Sequence, residues 1–197
     1  MKTLTKLNEA YSESWLDPES KRLIIEKLKN ALKEEFNAWY GYIIVKDFLV
    51  GSQRPDVVKL YEETAKDELE DHAYWLMKRI NELGGTIEDI TASPASWLTA
   101  THTYRSPKWE HKYSKESGVE GSDDIVIPLQ ETLFTNISNE IDAIETYRDL
   151  VETAQLSKDW TTQRKCKEIL ADEEEHLQLL QDFLDDLVAG RKEIDKI

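Results

Sequence analysis

The chain has 197 residues, enough for one domain with a sizeable core, and 40 acidic against 25 basic residues give it a formal charge of -15. This balance excludes general affinity for nucleic acid or anionic membranes, because both require clustered lysine and arginine. A single cysteine, Cys166, excludes an internal disulfide and any four-cysteine metal site. The first residues form no apolar signal segment and no stretch reaches membrane-spanning length, so we expect a cytoplasmic protein.

Glycine and proline are scarce, with 7 and 5 residues, and the long intervals between them predict an all-α protein. Four long helices follow from these intervals, at residues 19–49, 55–83, 125–155 and 158–188. The third helix would be capped by one of three polar residues that precede it, which are Ser122, Asp123 and Asp124.

The remaining helix ends also have sequence signals. Gly84 and Gly85 predict the end of the second helix, and Gly190 predicts the end of the fourth. Ser157 is the predicted cap of the fourth helix, with Asp159 in its first turn.

The lengths of the connections predict the topology. Short links make the first two helices and the last two helices antiparallel neighbours, whereas a long crossover lets the second pair run back along the first. We therefore predict a four-helix bundle with one long crossover between the second and third helices. The chain 1–197 would form a single domain, made of an N-terminal arm, a helix pair, the crossover and a second helix pair, at 1–17, 18–85, 86–122 and 123–190.

Charged residues interrupt the apolar stripe of every predicted helix. Each stripe contains one glutamate, and two stripes contain a histidine about one turn further on. Buried carboxylates are costly unless positive charge compensates them. Two divalent metals would balance four carboxylates, and carboxylate with imidazole suits iron, manganese or zinc. The six candidate metal ligands are Glu35, Glu68, His72, Glu140, Glu173 and His176.

The two halves of the sequence repeat this pattern. The first glutamate lies 33 residues before the second in each half, from Glu35 to Glu68 and from Glu140 to Glu173. The segments Glu-Phe-Asn-Ala and Glu-Ile-Asp-Ala match, and each is followed by a tyrosine at the same distance, at Tyr42 and Tyr147. A duplicated helix pair predicts a dinuclear site with pseudo-twofold symmetry.

These residues resemble a known family. The segment ISNEIDAIETYRDL, followed by CKEILADEEEHLQLL, resembles bacterioferritins and other ferritin-like di-iron proteins, and LKEEFNAWYGY with AKDELEDHAYWLMKRINELGG is similar to their first helix pair. The resemblance covers residues 25–85 and 125–188. It implies a ferritin-like four-helix bundle and a homo-oligomer, with two iron ions per chain and oxidation of Fe(II) by oxygen or peroxide for iron storage or detoxification.

The resemblance also implies roles for the candidate residues. Glu35 and Glu140 would be terminal ligands, Glu68 and Glu173 would bridge the metals, and each histidine would bind one metal. Tyr42 and Tyr147 fall where the family often has redox-active or outer-sphere tyrosines. The alternative is that both are ordinary core tyrosines with a hydrogen-bonded hydroxyl.

One spacing departs from the family. Glu68 and His72 are four residues apart, where the family has Glu-x-x-His. Both spacings share a face of an ideal helix, and the extra residue could also lie in a π-bulge. We prefer Glu68 to Glu70 or Asp71 because its spacing from Glu35 copies the second half. The position of the haem-binding methionine of bacterioferritins holds Leu69 or Glu70, so we predict no haem.

The chain also differs from some members of the ferritin-like family. The DNA-protecting mini-ferritins carry a basic tail and build their iron site between subunits, whereas all six candidate ligands lie in this one chain.

The crossover contains His102 and His111 and several aromatic residues. We favour a surface-packed or subunit-contact segment, and the alternatives are a further metal site or a lid.

Two other function classes remain open. One is a different enzyme on the same bundle, either a di-iron oxygenase or a di-manganese catalase. The other is a metal-binding or structural assembly subunit without enzymatic activity, which would bind zinc or no metal. An apolar substrate channel, or manganese bound after growth without added metal, would favour the first class.

Overall fold

The structure is a computed structural model that describes residues 16–50, 54–87 and 127–194. The helices are α1 (Pro18–Phe48), α2 (Arg54–Lys66), α3 (Tyr74–Glu82), α4 (Leu129–Leu156) and α5 (Trp160–Ile194), and a π-helical segment, Asp67–Ala73, joins α2 to α3. Two short strands are β1 (Leu49–Val50) and β2 (Ile127–Pro128). The four predicted helices are therefore confirmed, the second being α2, the π-helical segment and α3 in succession.

The predicted start of the first helix and end of the second are confirmed. The Asp17 side chain accepts hydrogen bonds from the backbone N–H groups of Glu19 and Ser20, at 3.1 and 3.0 Å, and Pro18 follows it in the first turn. At the other end, Gly84 has a φ of 75°. The backbone N–H of Gly85 donates to the carbonyl of Ile80, which closes α3 in the manner of a glycine-capped helix.

Three predicted ends in the second half are wrong. Helix α5 continues through Gly190, because one glycine costs a helix interior only about 1 kcal/mol relative to alanine. Helix α4 starts at Leu129 instead of residue 125, after β2. Asp159, and not Ser157, caps α5, because its carboxylate accepts from the backbone N–H of Thr162 at 3.1 Å.

The buried Asp159 also ties the two helix pairs together. Its carboxylate accepts two hydrogen bonds from the Arg79 guanidinium, at 2.8 and 3.0 Å, and Arg79 donates a third to the Thr162 hydroxyl at 2.9 Å. Both bonds to the carboxylate come from Nη2 of Arg79, and the ion pair compensates both buried charges. It fixes the end of α3 against the start of α5, which explains why Asp159 is the cap.

The short strands define how the pairs are arranged. β1 and β2 pair in parallel, with Leu49 opposite Ile127 and Val50 opposite Pro128. The end of α1 therefore lies beside the start of α4, as a long crossover between the pairs requires. Residues 1–15 and 88–126 lie outside the described residues, and with them most of the predicted arm and crossover, including His102 and His111. None of the described helices is long and apolar enough to cross a membrane.

The core is divided into two apolar clusters with polar side chains between them. One cluster includes Leu28, Leu32, Leu76, Leu150 and Ile169, and the other includes Val45, Val57, Leu60, Leu133 and Leu180. Along α1, along the segment from α2 to α3, along α4 and along α5, the candidate glutamate lies in sequence between residues of one cluster and residues of the other. The folding of the helices therefore brings these carboxylates to one level in the middle of the bundle.

Candidate metal centre

The six candidate ligands meet in the interior of the bundle. Each is buried, and none of them exceeds 6% exposure. They form two overlapping groups, in each of which the ligand atoms lie within 4.8 Å of one another. The first group is Glu35, Glu68, His72 and Glu173, and the second is Glu68, Glu140, Glu173 and His176. Glu68 and Glu173 belong to both groups, which is the arrangement of two adjacent metal positions with shared carboxylates.

The two shared carboxylates each direct one oxygen toward each histidine. Glu68 Oε2 lies 3.2 Å from Nδ1 of His72, and Glu68 Oε1 lies 3.5 Å from Nδ1 of His176. Glu173 mirrors this, with Oε1 3.2 Å from Nδ1 of His72 and Oε2 3.4 Å from Nδ1 of His176. The two imidazole rings lie 6.1 Å apart between their centroids. Both Nδ1 atoms therefore face the space between the carboxylates.

The π-helical segment explains the unusual spacing in the first half. Glu68 and His72 both lie in it, and both are buried, whereas Glu70 and Asp71 are exposed. A π-helix has i to i+5 hydrogen bonds, so one extra residue fits within a turn while the flanking α-helical turns keep their register. The π-bulge interpretation is thus confirmed. The segment lets a Glu-x-x-x-His sequence present the same two side chains as Glu-x-x-His on α5.

Deleting Glu70 should therefore leave the protein folded. The deletion restores Glu-x-x-His, and we expect the π-helical segment to become α-helical at a cost below about 1 kcal/mol. Deleting Glu174 from α5 is the matched control, because there it rotates every later residue by about 100° and removes Leu180 from the core. That variant should lose more than about 3 kcal/mol. Urea unfolding followed by circular dichroism measures both, and equal damage in the two variants would contradict the π-bulge interpretation.

The buried charges are unequal in this arrangement. Burial raises the pKa values of Glu68 and Glu140, and the neighbouring Glu173 raises them further. Burial opposes the charge of Glu173 as well, but its close contacts with His176 and His72 outweigh burial and lower the pKa of Glu173. Burial likewise disfavours a charged His72, yet its contacts with Glu173, Glu35 and Glu68 raise its pKa well above the ordinary value. Without metal, these shifts favour the protonated forms of Glu68, Glu140 and His72 and the ionised form of Glu173.

Two carboxylate oxygens in this centre make no hydrogen bond to the described part of the chain. They are Oε1 of Glu68 and Oε1 of Glu173, and both are buried. Unsatisfied buried acceptors are rare in folded proteins and require an explanation. Two divalent ions would supply four positive charges for the four carboxylates and would bind these oxygens directly. The residues present therefore fit two metal ions, and oxygen with imidazole ligands suits iron, manganese or zinc.

The two predicted tyrosines each contact a candidate glutamate in the other half of the sequence. The Tyr42 hydroxyl donates to Glu140 Oε1, and the Tyr147 hydroxyl donates to Glu35 Oε1. Both tyrosines are almost wholly buried. These hydrogen bonds restrain the buried carboxylates of Glu140 and Glu35. Tyr42 also packs edge-on against Tyr61, with ring centroids 5.0 Å apart.

Two further residues contact the histidines from outside the carboxylate layer. Oδ2 of Asp172 lies 3.3 Å from Nε2 of His72, and Oδ2 of Asp67 lies 3.8 Å from Nε2 of His176. Neither aspartate was predicted, since an aspartate that reaches solvent from a helix is ordinarily a solvated charge. The repeat carried a signal, because each aspartate directly precedes the shared glutamate of its half.

Comparisons with known proteins place these features in context. A family model described as a ferritin-like domain matches residues 25–189. Among solved structures, the chain is similar to a ferritin-like diiron-carboxylate protein from Bacillus anthracis str. Ames, with 22% identity, a TM-score of 0.62, and coverage of 85% of this chain and 99% of that chain. No curated protein matches the sequence.

Two further similar structures are Dps proteins. An archaeal Dps homologue from Halobacterium salinarum has 21% identity and a TM-score of 0.64, covering 85% of this chain and 82% of that chain. The Dps protein from Vibrio cholerae O1 has 16% identity and a TM-score of 0.66, covering 86% and 93%. At these identities the likeness shows the fold alone.

Proposed function

Because the chain belongs to the ferritin-like domain family, we propose that it binds two Fe(II) ions as substrate within its bundle and oxidises them with oxygen or peroxide. The physiological role would be iron storage or detoxification. One observation carries the proposal, which is that Glu68 and Glu173 each direct one oxygen toward each histidine. Two Fe(II) ions bound by these residues would share both carboxylates, so that one oxidant could accept an electron from each.

Each protein group has a defined task in this reaction. Glu68 and Glu173 would bridge the two ions, and Glu35 and Glu140 would be terminal ligands held by the tyrosine hydroxyls. His72 and His176 would each bind one ion through Nδ1. Each Fe(II) would supply one electron. Oxygen would take up two electrons and two protons to give hydrogen peroxide, and hydrogen peroxide would take up two electrons and two protons to give two water molecules. The apolar clusters on both sides of the centre restrict water and keep the ligands in place.

The proposed centre is complete within one chain. All six candidate ligands lie on helical segments of this one chain. The DNA-protecting mini-ferritins build their iron site between subunits. The present chain would share the fold of Dps proteins and would differ from the mini-ferritins in having the whole site within one chain. The negative charge would favour Fe(II) near the protein and would disfavour nucleic acid. Assembly into a homo-oligomer is part of the proposal.

Anaerobic titration with Fe(II) followed by oxidation tests the proposal. The protein is loaded without oxygen, oxygen and then peroxide are added, and ferric absorbance is followed in the ultraviolet while light scattering reports the mass. We expect rapid oxidation to saturate at about two Fe(II) per chain, as a dinuclear site requires. A particle many times the mass of one chain would support storage, and a monomer or dimer would support detoxification or the enzyme alternatives.

The same measurements separate the other function classes. Oxidation no faster than in buffer, with manganese retained after growth without added metal, would favour a di-manganese enzyme. Bound zinc, or equal heat stability with and without metal, would favour a structural subunit. Oxidation that saturates at about one Fe(II) per chain would contradict the paired centre.

A further inference from the structure

We propose that the N-terminal segment, residues 1–15, forms an amphipathic helix that docks on an exposed apolar patch of its own bundle. The patch consists of Leu23, Leu156 and Trp160 and lies at the end of the bundle where α1 begins. Leu23 is about 18 Å along α1 from Glu35, so this surface is separate from the metal centre. The inference does not depend on the proposed function.

The antiparallel packing of α1 and α4 brings the two leucines of the patch to the same end. The Lys27 ammonium donates to the Asp149 carboxylate, which places these two residues opposite each other. Leu23 lies one turn before Lys27 and therefore shares its face of α1. Leu156 lies two turns after Asp149 and shares its face of α4. Because the end of α1 lies beside the start of α4, both leucines lie beyond the ion pair toward the start of α1.

The patch exposes large apolar side chains to solvent. Leu156 is 78% exposed, Trp160 is 58% exposed and Leu23 is 40% exposed. Trp160 is the first residue of α5 and follows the end of α4 by four residues, so it lies at the same end of the bundle. A single exposed leucine needs no explanation, whereas several large apolar side chains at one place indicate a surface that another element covers.

The chain enters the bundle at this same end. Leu16, the first described residue, is buried and packs in the apolar core. Asp17 is extended and Pro18 has no backbone N–H, so α1 cannot continue backward into residues 1–15. The chain therefore changes direction at Asp17, about 10 Å along α1 from Leu23.

The sequence of the N-terminal segment has the pattern of an amphipathic helix. At about 100° per residue, four large apolar residues share an arc of about 80°. They are Leu4, Leu7, Tyr11 and Trp15. The charged residues fall on the opposite side, and they are Lys2, Lys6, Glu9 and Glu13. A helix of this length is marginal by itself in water, so it requires a surface on which to bury its apolar stripe.

Length and charge favour this occupant over a second copy or a membrane. As a helix, residues 4–15 extend about 17 Å, which exceeds the distance along α1 from the point of attachment to Leu23. Covalent attachment gives the segment a high effective concentration at the patch, which a second copy lacks. The two lysines and two glutamates of the segment cancel, whereas a helix that binds an anionic membrane is rich in lysine and arginine.

Hydrogen exchange of the intact 197-residue chain, followed by mass spectrometry, tests the inference. The amides of residues 1–15 should exchange at least about 10-fold more slowly than those of an unstructured peptide. The double variant Leu156→Ser/Trp160→Ser should lose this protection, and so should Leu7→Ser. Both substituted patch residues are exposed, so the helices of the bundle should keep their own protection.

Two matched controls are available. Phe134→Ser removes another exposed apolar side chain of α4, near the opposite end of that helix. Lys6→Ser changes the polar side of the segment, one residue away from Leu7. In both variants residues 1–15 should remain as protected as in the wild type.

Four results would overturn the inference. Rapid exchange of residues 1–15 in the wild type would show that no helix docks. Protection that persists in Leu156→Ser/Trp160→Ser would place the segment on another surface. A particle mass that falls in this variant, measured by light scattering, would assign the patch to a second copy instead. Protection that is lost when the wild type is diluted would mean that the segment docks on another chain.

Discussion

Replacing Glu173 by glutamine is expected to abolish rapid oxidation of Fe(II) while leaving the bundle folded. Glu173 is in both groups of candidate ligands, and its Oε1 makes no hydrogen bond within the described residues. Glutamine has nearly the same size, but it lacks the charge and places an amide where the second ion requires an oxygen. The initial rate should fall by more than about 100-fold, because even the loss of an outer partner of a ligand costs about 10–100-fold.

The control for this prediction is two residues away. Glu175→Gln removes the same charge from an exposed position on α5, so its oxidation rate should match that of the wild type. Stopped-flow absorbance measures the rates, and circular dichroism shows whether the helices are retained. An unchanged rate in Glu173→Gln, or an equal loss in both variants, would remove Glu173 from the centre. A folded Glu173→Gln variant that still binds two Fe(II) would show that a single shared carboxylate is sufficient.

The fold was predictable because short-range sequence signals determine where its helices begin and end. Scarce glycine and proline, together with capping residues, defined four long helices, and the connection lengths defined their order. The family match confirms the predicted ferritin-like bundle. The errors arose where distant contacts decide a local outcome. Asp159 caps α5 partly because Arg79, 80 residues earlier, binds it, and the short β1–β2 pairing depends on residues that are far apart in sequence.

The candidate centre was predictable for a different reason. A carboxylate in an apolar stripe is anomalous, and equal spacing in two halves makes four such carboxylates a pattern. The six residues identified in this way do lie together in the structure. Their function as metal ligands stays a prediction. The contacts between the tyrosines of one half and the glutamates of the other could not be predicted from the sequence. A helical stripe shows which face of a helix is buried, but it does not show that Tyr42 contacts Glu140.

The stability of the metal-free protein is expected to fall as the pH rises, and added metal should stabilise it more at high pH. The pKa values of Glu68 and Glu140 are raised above the ordinary 4.5, and that of His72 is raised above 6.5. Above those ordinary values the folded chain holds protons that the unfolded chain has released. Each such proton reduces the free energy of unfolding by about 1.4 kcal/mol per pH unit until the folded group titrates. Glu173, whose pKa is lowered, acts oppositely, but only below about pH 4.5.

Metal reverses this trend because it binds deprotonated carboxylates and neutral imidazole. Its affinity should rise with pH, and binding should release more than about one proton per chain near neutrality. Thermal unfolding of metal-free and Co(II)-loaded protein between pH 5 and pH 8 measures the stability. Calorimetric titration in two buffers of different ionisation enthalpy counts the protons. Glu68→Gln, which resembles a permanently protonated Glu68, should flatten the decline of the metal-free Tm. A metal-free Tm that rises across this range, or binding without proton release, would show that the buried carboxylates are already ionised before metal arrives.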